Sequence, residues 1–326
     1  MKQLSIVFLM LFTNQSFACD DCKSYDNHDF AIEKVNVTHN ASLASTIWEI
    51  SVKGYAGKTT PTPAGQLNGA PVLGYVFPTS LKPTDVGFSQ TEGIVALALT
   101  SHPDFDDTSL WDENSDQQYD NDGVIWHPHW VVLNEDSRVE GGLAVKQFEK
   151  GDETVVLPPT NPGMPMYMDS PGFPVITKGK TIRVVVPAYR MNHKTDFSYD
   201  GVAAYMQVNT EDAYKPMLGV YQVYSVASGD LSLPYTVTTV KVAVWDTYVR
   251  RTDGKIMHFD ILVDSNRKDE KQVFNFGKEY LRNKPFGTGD LTTKQCSFCH
   301  IEQASVALSE KIRKHGYAII EMENCE

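Results

Sequence analysis

The sequence predicts a multi-domain chain: an N-terminal all-β, sandwich-like domain and a small C-terminal α+β domain of order ββααβ. Three observations carry this. Short segments rich in β-branched and aromatic residues recur before residue 232, separated by Gly, Pro, Asn and Asp clusters and without a long 3.6-residue periodicity. Beyond residue 239 the pattern changes to paired strands followed by amphipathic helical spacing. Charge changes at the same place. Residues 239–326 carry 14 basic and 13 acidic side chains, net +1, which leaves 15 basic against 28 acidic, net −13, for residues 1–238.

In the first domain the candidate strands are IWEISVKG, PVLGYVF, GIVALALT, VIWHPHWVVL, TIRVVVPAY and LGVYQVYSV. In the second, KVAVWDTYV and KIMHFDILV form a hairpin across RRTDG, with Asp253-Gly254 at the turn. DEKQVFNFGKEYLRN follows with helical spacing, Val273, Phe276 and Tyr280 sharing a face. SVALSEKIRKHG is a second helix, with Ser305 at its N-cap and Gly316 as its stop, and YAIIEME closes as a strand.

The chain has 326 residues, 41% hydrophobic and 21% charged, which suits a folded globular protein and allows two domains. A net charge of −12 leaves no basic surface for nucleic acid. Residues 1–18 read as a secretory signal peptide: Lys2, then the apolar run Leu4 to Phe12, then the small-x-small site Ser16-Phe17-Ala18. That run is too short to span a bilayer, and no other stretch approaches membrane length. Cleavage after Ala18 would place the protein in the periplasm or outside the cell, and Cys19 at the new N-terminus raises a lipid anchor. The expected organisation is therefore signal peptide 1–18, β-rich domain 19–232, linker 233–238 and α+β domain 239–326.

The candidate sites all concern metals. His127 and His129 are two apart on a strand, so both imidazoles leave one face, the spacing that offers two nitrogens to zinc or copper. His193, His102, Asp120 or Asp122 could complete the set. Asp112, Asn114, Asp116 and Asp120 resemble the start of a calcium loop, which then fails at the glycine and closing glutamate positions. Met164, Met166 and Met168, with Met191 near His193, are soft sulfur donors that suit copper if they are not simply core.

Cys296, Cys299 and His300 spell Cys-x-x-Cys-His, which in an exported protein means covalent haem c or half of a zinc site. Haem would need a sixth ligand and a covering fold from the 26 residues that follow His300. Zinc would need Cys325 and either His300 or His258. A Cys296–Cys299 disulfide is the third option, with Cys19 and Cys22 as further disulfide candidates.

VKVAVWDTYV, DGKIMHFDILV, GKEYL, CSFCHIEQA and GYAIIEMENC together resemble a small bacterial family known only as domain of unknown function 2024. The resemblance covers residues 240 to 325. It implies a stand-alone α+β fold of unassigned activity in which Cys-x-x-Cys-His belongs to a folded domain, not to a haem-attachment peptide. It also sets His258 and Cys325 within family stretches, which favours a shared metal or thiol site. An export signal and a long N-terminal partner depart from that family's pattern. The expected function is metal binding, delivery or sensing in the periplasm, zinc foremost, without catalysis. Two alternatives stand beside it: a mono-haem electron carrier, and a zinc hydrolase or lyase at His127 and His129 with Asp122 or Glu135 as base.

Overall fold

The computed structural model describes residues 24–326 apart from 41–42, 109–116, 118–123, 239–240, 268, 293 and 305. The signal peptide, Cys19, Cys22, Asp112, Asn114, Asp116, Asp120, Asp122 and Ser305 lie outside the described residues.

The chain is mostly β, in several sheets. The N-terminal part holds β1 (Ile32–Asn40), β2 (Ser45–Val52), β3 (Pro71–Pro78), β4 (Ile94–Ser101), β5 (His127–Glu135), β6 (Leu143–Val145) and β7 (Met168–Asp169). It continues with β8 (Val175–Lys178), β9 (Thr181–Pro187), β10 (Ser198–Tyr199), β11 (Val202–Val208), β12 (Leu218–Val226) and β13 (Tyr235–Thr236). One sheet has the order β1-β2-β9-β8. A second runs β4-β3-β11-β12-β6-β5 and closes through β4–β5, giving a six-stranded barrel with β7 added on β5, and β10 pairs with β13 in a two-stranded sheet. Only the β-rich content of the expected sandwich survives, because one of the two layers has rolled up on itself.

Side-chain alternation explains both layers. On β2 and β9 one face is buried and the other half-exposed, as expected of a sheet covered on one side. β3 is buried at every position, because its two faces meet two different cores. Val72 and Val76, Ala96 and Ala98, Val131 and Leu133, and Ala204 and Met206 belong to a cluster fed by all six barrel strands, which is the barrel interior. The alternate residues Leu73, Tyr75, Leu97, Leu99, Trp130 and Val132 face outward and pack with Trp48, Ile50 and Val184 of the open sheet. Trp48 is fully buried there, with the Phe77, Trp130 and Phe197 rings 5.3, 5.8 and 5.3 Å away.

The segment expected to be a linker is tied to this part. Tyr235 pairs with Tyr199, and Thr238 accepts from the His39 N–H at 3.0 Å and donates its own N–H to the Val37 carbonyl at 2.9 Å.

The C-terminal part has one sheet of order β16-β14-β15-β17, built from β14 (Lys241–Arg250), β15 (Ile256–Asp264), β16 (Cys296–Gln303) and β17 (Ala318–Glu323). The β14–β15 hairpin forms as expected, with Gly254 taking the left-handed φ of 89° at its turn. Helix α1 (Glu270–Arg282) is capped by Asp269, which accepts from the Lys271 N–H, and it buries Val273, Gly277 and Leu281. Phe276 and Tyr280 are only partly buried beside that face. Helix α2 (Val306–His315) ends where Gly316 turns at φ 83°. The order is therefore ββαβαβ, which corrects ββααβ: the Cys-x-x-Cys-His stretch is itself a strand, paired with β14. No helix among the described residues is long and apolar enough to cross a membrane.

Replacing Trp48 with Ala removes the ring joining the two layers and should destabilise the N-terminal part by about 3–5 kcal/mol. Urea unfolding followed by far-UV circular dichroism measures this. A loss below about 1 kcal/mol would show that the layers do not depend on this contact.

Candidate metal centre at the barrel mouth

Three imidazoles and one carboxylate converge at one end of the barrel. β5 projects His127 and His129 inward, opposite Thr100 and Ala98 of β4. His102 follows directly on the end of β4, and Asp107 sits five residues further along the same loop. All four side chains are buried, and one donor atom from each lies within 4.8 Å of the others. Asp107 Oδ1 is 3.3 Å from His102 Nε2, 3.2 Å from His127 Nε2 and 3.5 Å from His129 Nε2. A tetrahedral zinc with ligands at ~2.0–2.1 Å has donor–donor edges of roughly 3.3–3.4 Å. The spacing around Asp107 has that size.

The second contacts fix which nitrogen faces inward. His102 Nδ1–H donates to the Phe105 carbonyl at 2.8 Å, and His127 Nδ1–H donates to the Ile125 carbonyl at 2.5 Å. A carbonyl only accepts, so in both rings the proton is on Nδ1 and the Nε2 lone pair points into the centre. His129 Nδ1 contacts Ser170 Oγ at 3.0 Å. His102 is also stacked on Phe105 with centroids 4.0 Å apart. Loop geometry holds Asp107 in place, Asp106 Oδ1 accepting from the Thr108 N–H and hydroxyl at 2.7 and 2.6 Å.

This arrangement has an electrostatic debt. Lone pairs of His102 and His127 face each other with their Nε2 atoms 2.9 Å apart, beside a buried carboxylate. His129 Nε2 and Asp107 Oδ1 are buried with no hydrogen-bond partner. Unsatisfied buried acceptors are costly, and a cation among these four side chains would satisfy both atoms. Burial pushes the His129 imidazole down to about 3, which leaves it neutral and able to ligate at neutral pH.

The expected ligands are sorted by the fold. His127 and His129 stand together as expected, and His102 joins them. His193 does not: it is exposed beyond the short turn Ala188–Met191, with a left-handed φ of 56°. Asp107 is not among the expected ligands, because Asp120 and Asp122 stand nearer His127 in the sequence. Its one signal is its place five residues after His102 in SHPDFDD. Met164, Met166 and Met168 line the barrel interior, and Met191 is buried elsewhere, its sulfur accepting from the Thr46 hydroxyl at 3.4 Å.

The expected cysteine site is not assembled. Cys296, Cys299 and Cys325 are all free. Cys296 is buried opposite Thr247, and burial pushes its thiol pKa up. Cys299 is exposed at a bulge, and its neighbour His300 is exposed too, in contact with Glu302 at 3.3 Å. Cys325 donates its S–H to the His258 carbonyl at 3.1 Å, just past β17. β16 and β17 are opposite edges of the sheet, about 14 Å apart at ~4.8 Å per strand. One ion cannot reach both cysteines. His258 is drawn elsewhere as well, to Asp246 at 2.7 Å, with Asp260 beside it and the Tyr248 ring stacked at 4.3 Å.

The fold thus defines a β-rich chain with a six-stranded barrel ahead of a small α+β part. That second part belongs to a known family: residues 240–322 match Domain of unknown function (DUF2024), whereas the N-terminal part is matched by no family. The NMR structure of protein NE1680 from Nitrosomonas europaea is 35% identical, over 26% of this chain and 99% of that one, with a TM-score of 0.23. No curated protein matches the chain.

Metal-free protein should lose stability as pH falls from about 6.5 towards 3. In that window unfolded His129 binds a proton that the folded ring refuses, so stability rises with pH. In chelator-treated protein, His129→Gln should flatten the slope of unfolding free energy against pH by up to about 1.4 kcal/mol per unit between pH 4 and 6. An unchanged slope would contradict the burial of a neutral His129.

Proposed function

We propose that the protein binds a divalent transition metal, zinc foremost, through His102, His127, His129 and Asp107. The observation that carries this reading is the inward convergence of three imidazoles and one carboxylate, with Asp107 Oδ1 3.2–3.5 Å from each Nε2 and two of the four donor atoms lacking any other partner. Three nitrogens and one oxygen suit zinc, and imidazole-rich sites also take copper or iron. Hydrogen bonds from His102 and His127 to backbone carbonyls are the kind of support that orients metal-ligating rings.

Four protein donors fill a tetrahedral shell, which favours holding an ion over hydrolysis at a three-ligand centre. The role we assign is binding, delivery or sensing of the metal in the periplasm, export resting on residues 1–18. The α+β part would then be an accessory unit, with its cysteines kept as thiols.

Elemental analysis of protein purified from the exported fraction should find close to one metal per chain. His127→Ala with His129→Ala, or Asp107→Asn alone, should reduce uptake at least tenfold. His193→Ala and Cys296→Ser should leave it intact. Wild-type protein that takes up no metal after dialysis against zinc, copper or iron would overturn the assignment. So would full occupancy in the double variant.

A further inference from the structure

The barrel is not filled. A cavity of about 240 Å³ occupies its interior and reaches the metal centre. His102, His129, Asp107 and Thr100 form one end of its wall, and the rest is almost wholly apolar, with Val76, Ala98, Ala204 and Met206 among its lining. Small side chains make the room: Ala98 and Ala204 are 4% and 2% exposed and stand where larger residues would close the lumen. Leu231 and Leu233 also line the cavity, and both hold left-handed φ values, 58° and 54°. Left-handed backbone is costly for a bulky residue, and here it puts two leucines on the cavity wall.

Cavity size and charge define an occupant. An engineered cavity of ~150 Å³ holds benzene, so this lumen accommodates roughly ten non-hydrogen atoms. A divalent ion beside ionised Asp107 leaves one net positive charge in a buried setting, which only an anionic group can neutralise. We propose that the lumen binds a small amphiphile bearing one carboxylate, with its apolar body in the barrel and its head joining the four protein donors as a fifth ligand to the metal. This rests on the metal assignment above and extends it from an ion site to a ligand site. A polar solute would strand its hydrogen-bonding groups against Val, Ala and Met, and a neutral apolar solute would leave the charge unmet.

Octanoate, with about ten non-hydrogen atoms, is the probe, and titration calorimetry on zinc-loaded full-length protein is the measurement. Octanoate should bind at one per chain and at least tenfold more tightly than octanol. Stripping the metal, or His127→Ala, should weaken it at least tenfold. Ala204→Leu fills the lumen away from the ligands and should abolish octanoate binding while leaving zinc stoichiometry at the wild-type value. Val76→Phe is the second filling variant should Ala204→Leu fail to fold, retained zinc being the check on both. Addition of octanoate to cobalt-loaded protein should change its visible absorption, which reports a head group at the ion.

Zinc-loaded protein that ignores millimolar octanoate overturns this inference and leaves the metal assignment standing. Equal binding to loaded and stripped protein overturns the role of the head group, and with it the proposal. Protein that takes up no metal overturns both.

Discussion

The pairing of β4 with β5 is the contact on which the rest of the N-terminal part depends. It turns an open sheet into a barrel, and by its register it sets His127 opposite Thr100 and His129 opposite Ala98. A slip of one residue would turn both imidazoles out towards the Trp48 layer and bring Pro128 and Trp130 inward. The outward face prevents this. Trp130, Val132, Leu97 and Leu99 have a place only in the core shared with the open sheet. The apolar packing outside the barrel therefore fixes the polar chemistry inside it.

The sequence made some of this legible. His-x-His on a strand was readable because a strand has period two and the residues after it are apolar. The hairpin at Asp253-Gly254 and helix α1 were readable from turn chemistry and spacing. Barrel closure was not, since alternating strands look the same whether the sheet is open or closed. Asp107 was hidden for a related reason. Its two β5 partners, His127 and His129, lie about twenty residues further along and reach it only through the β4–β5 register.

The C-terminal part shows the opposite failure. Cys-x-x-Cys-His is a specific spacing, but spacing places two sulfurs on one ion only if the backbone turns between them. Here β14 holds the stretch extended, and the edge-to-edge order of the sheet sends Cys325 to the far side. The motif is present without the local fold that gives it meaning. In its place the sheet carries a hydrogen-bonded His258–Asp246 pair whose spacing the sequence gives no reason to notice.

The four donors of the barrel centre come from two stretches joined by one excursion of the chain. His102 and Asp107 open that excursion, and His127 and His129 close it. An ion held by all four would act as a cross-link across a loop of some two dozen residues, the kind of closure worth a few kcal/mol when a disulfide makes it. Its release would then require His102 and Asp107 to part from the two β5 histidines. Residence time at such a centre would depend on the backbone that carries Asp107 as much as on the bonds to the metal.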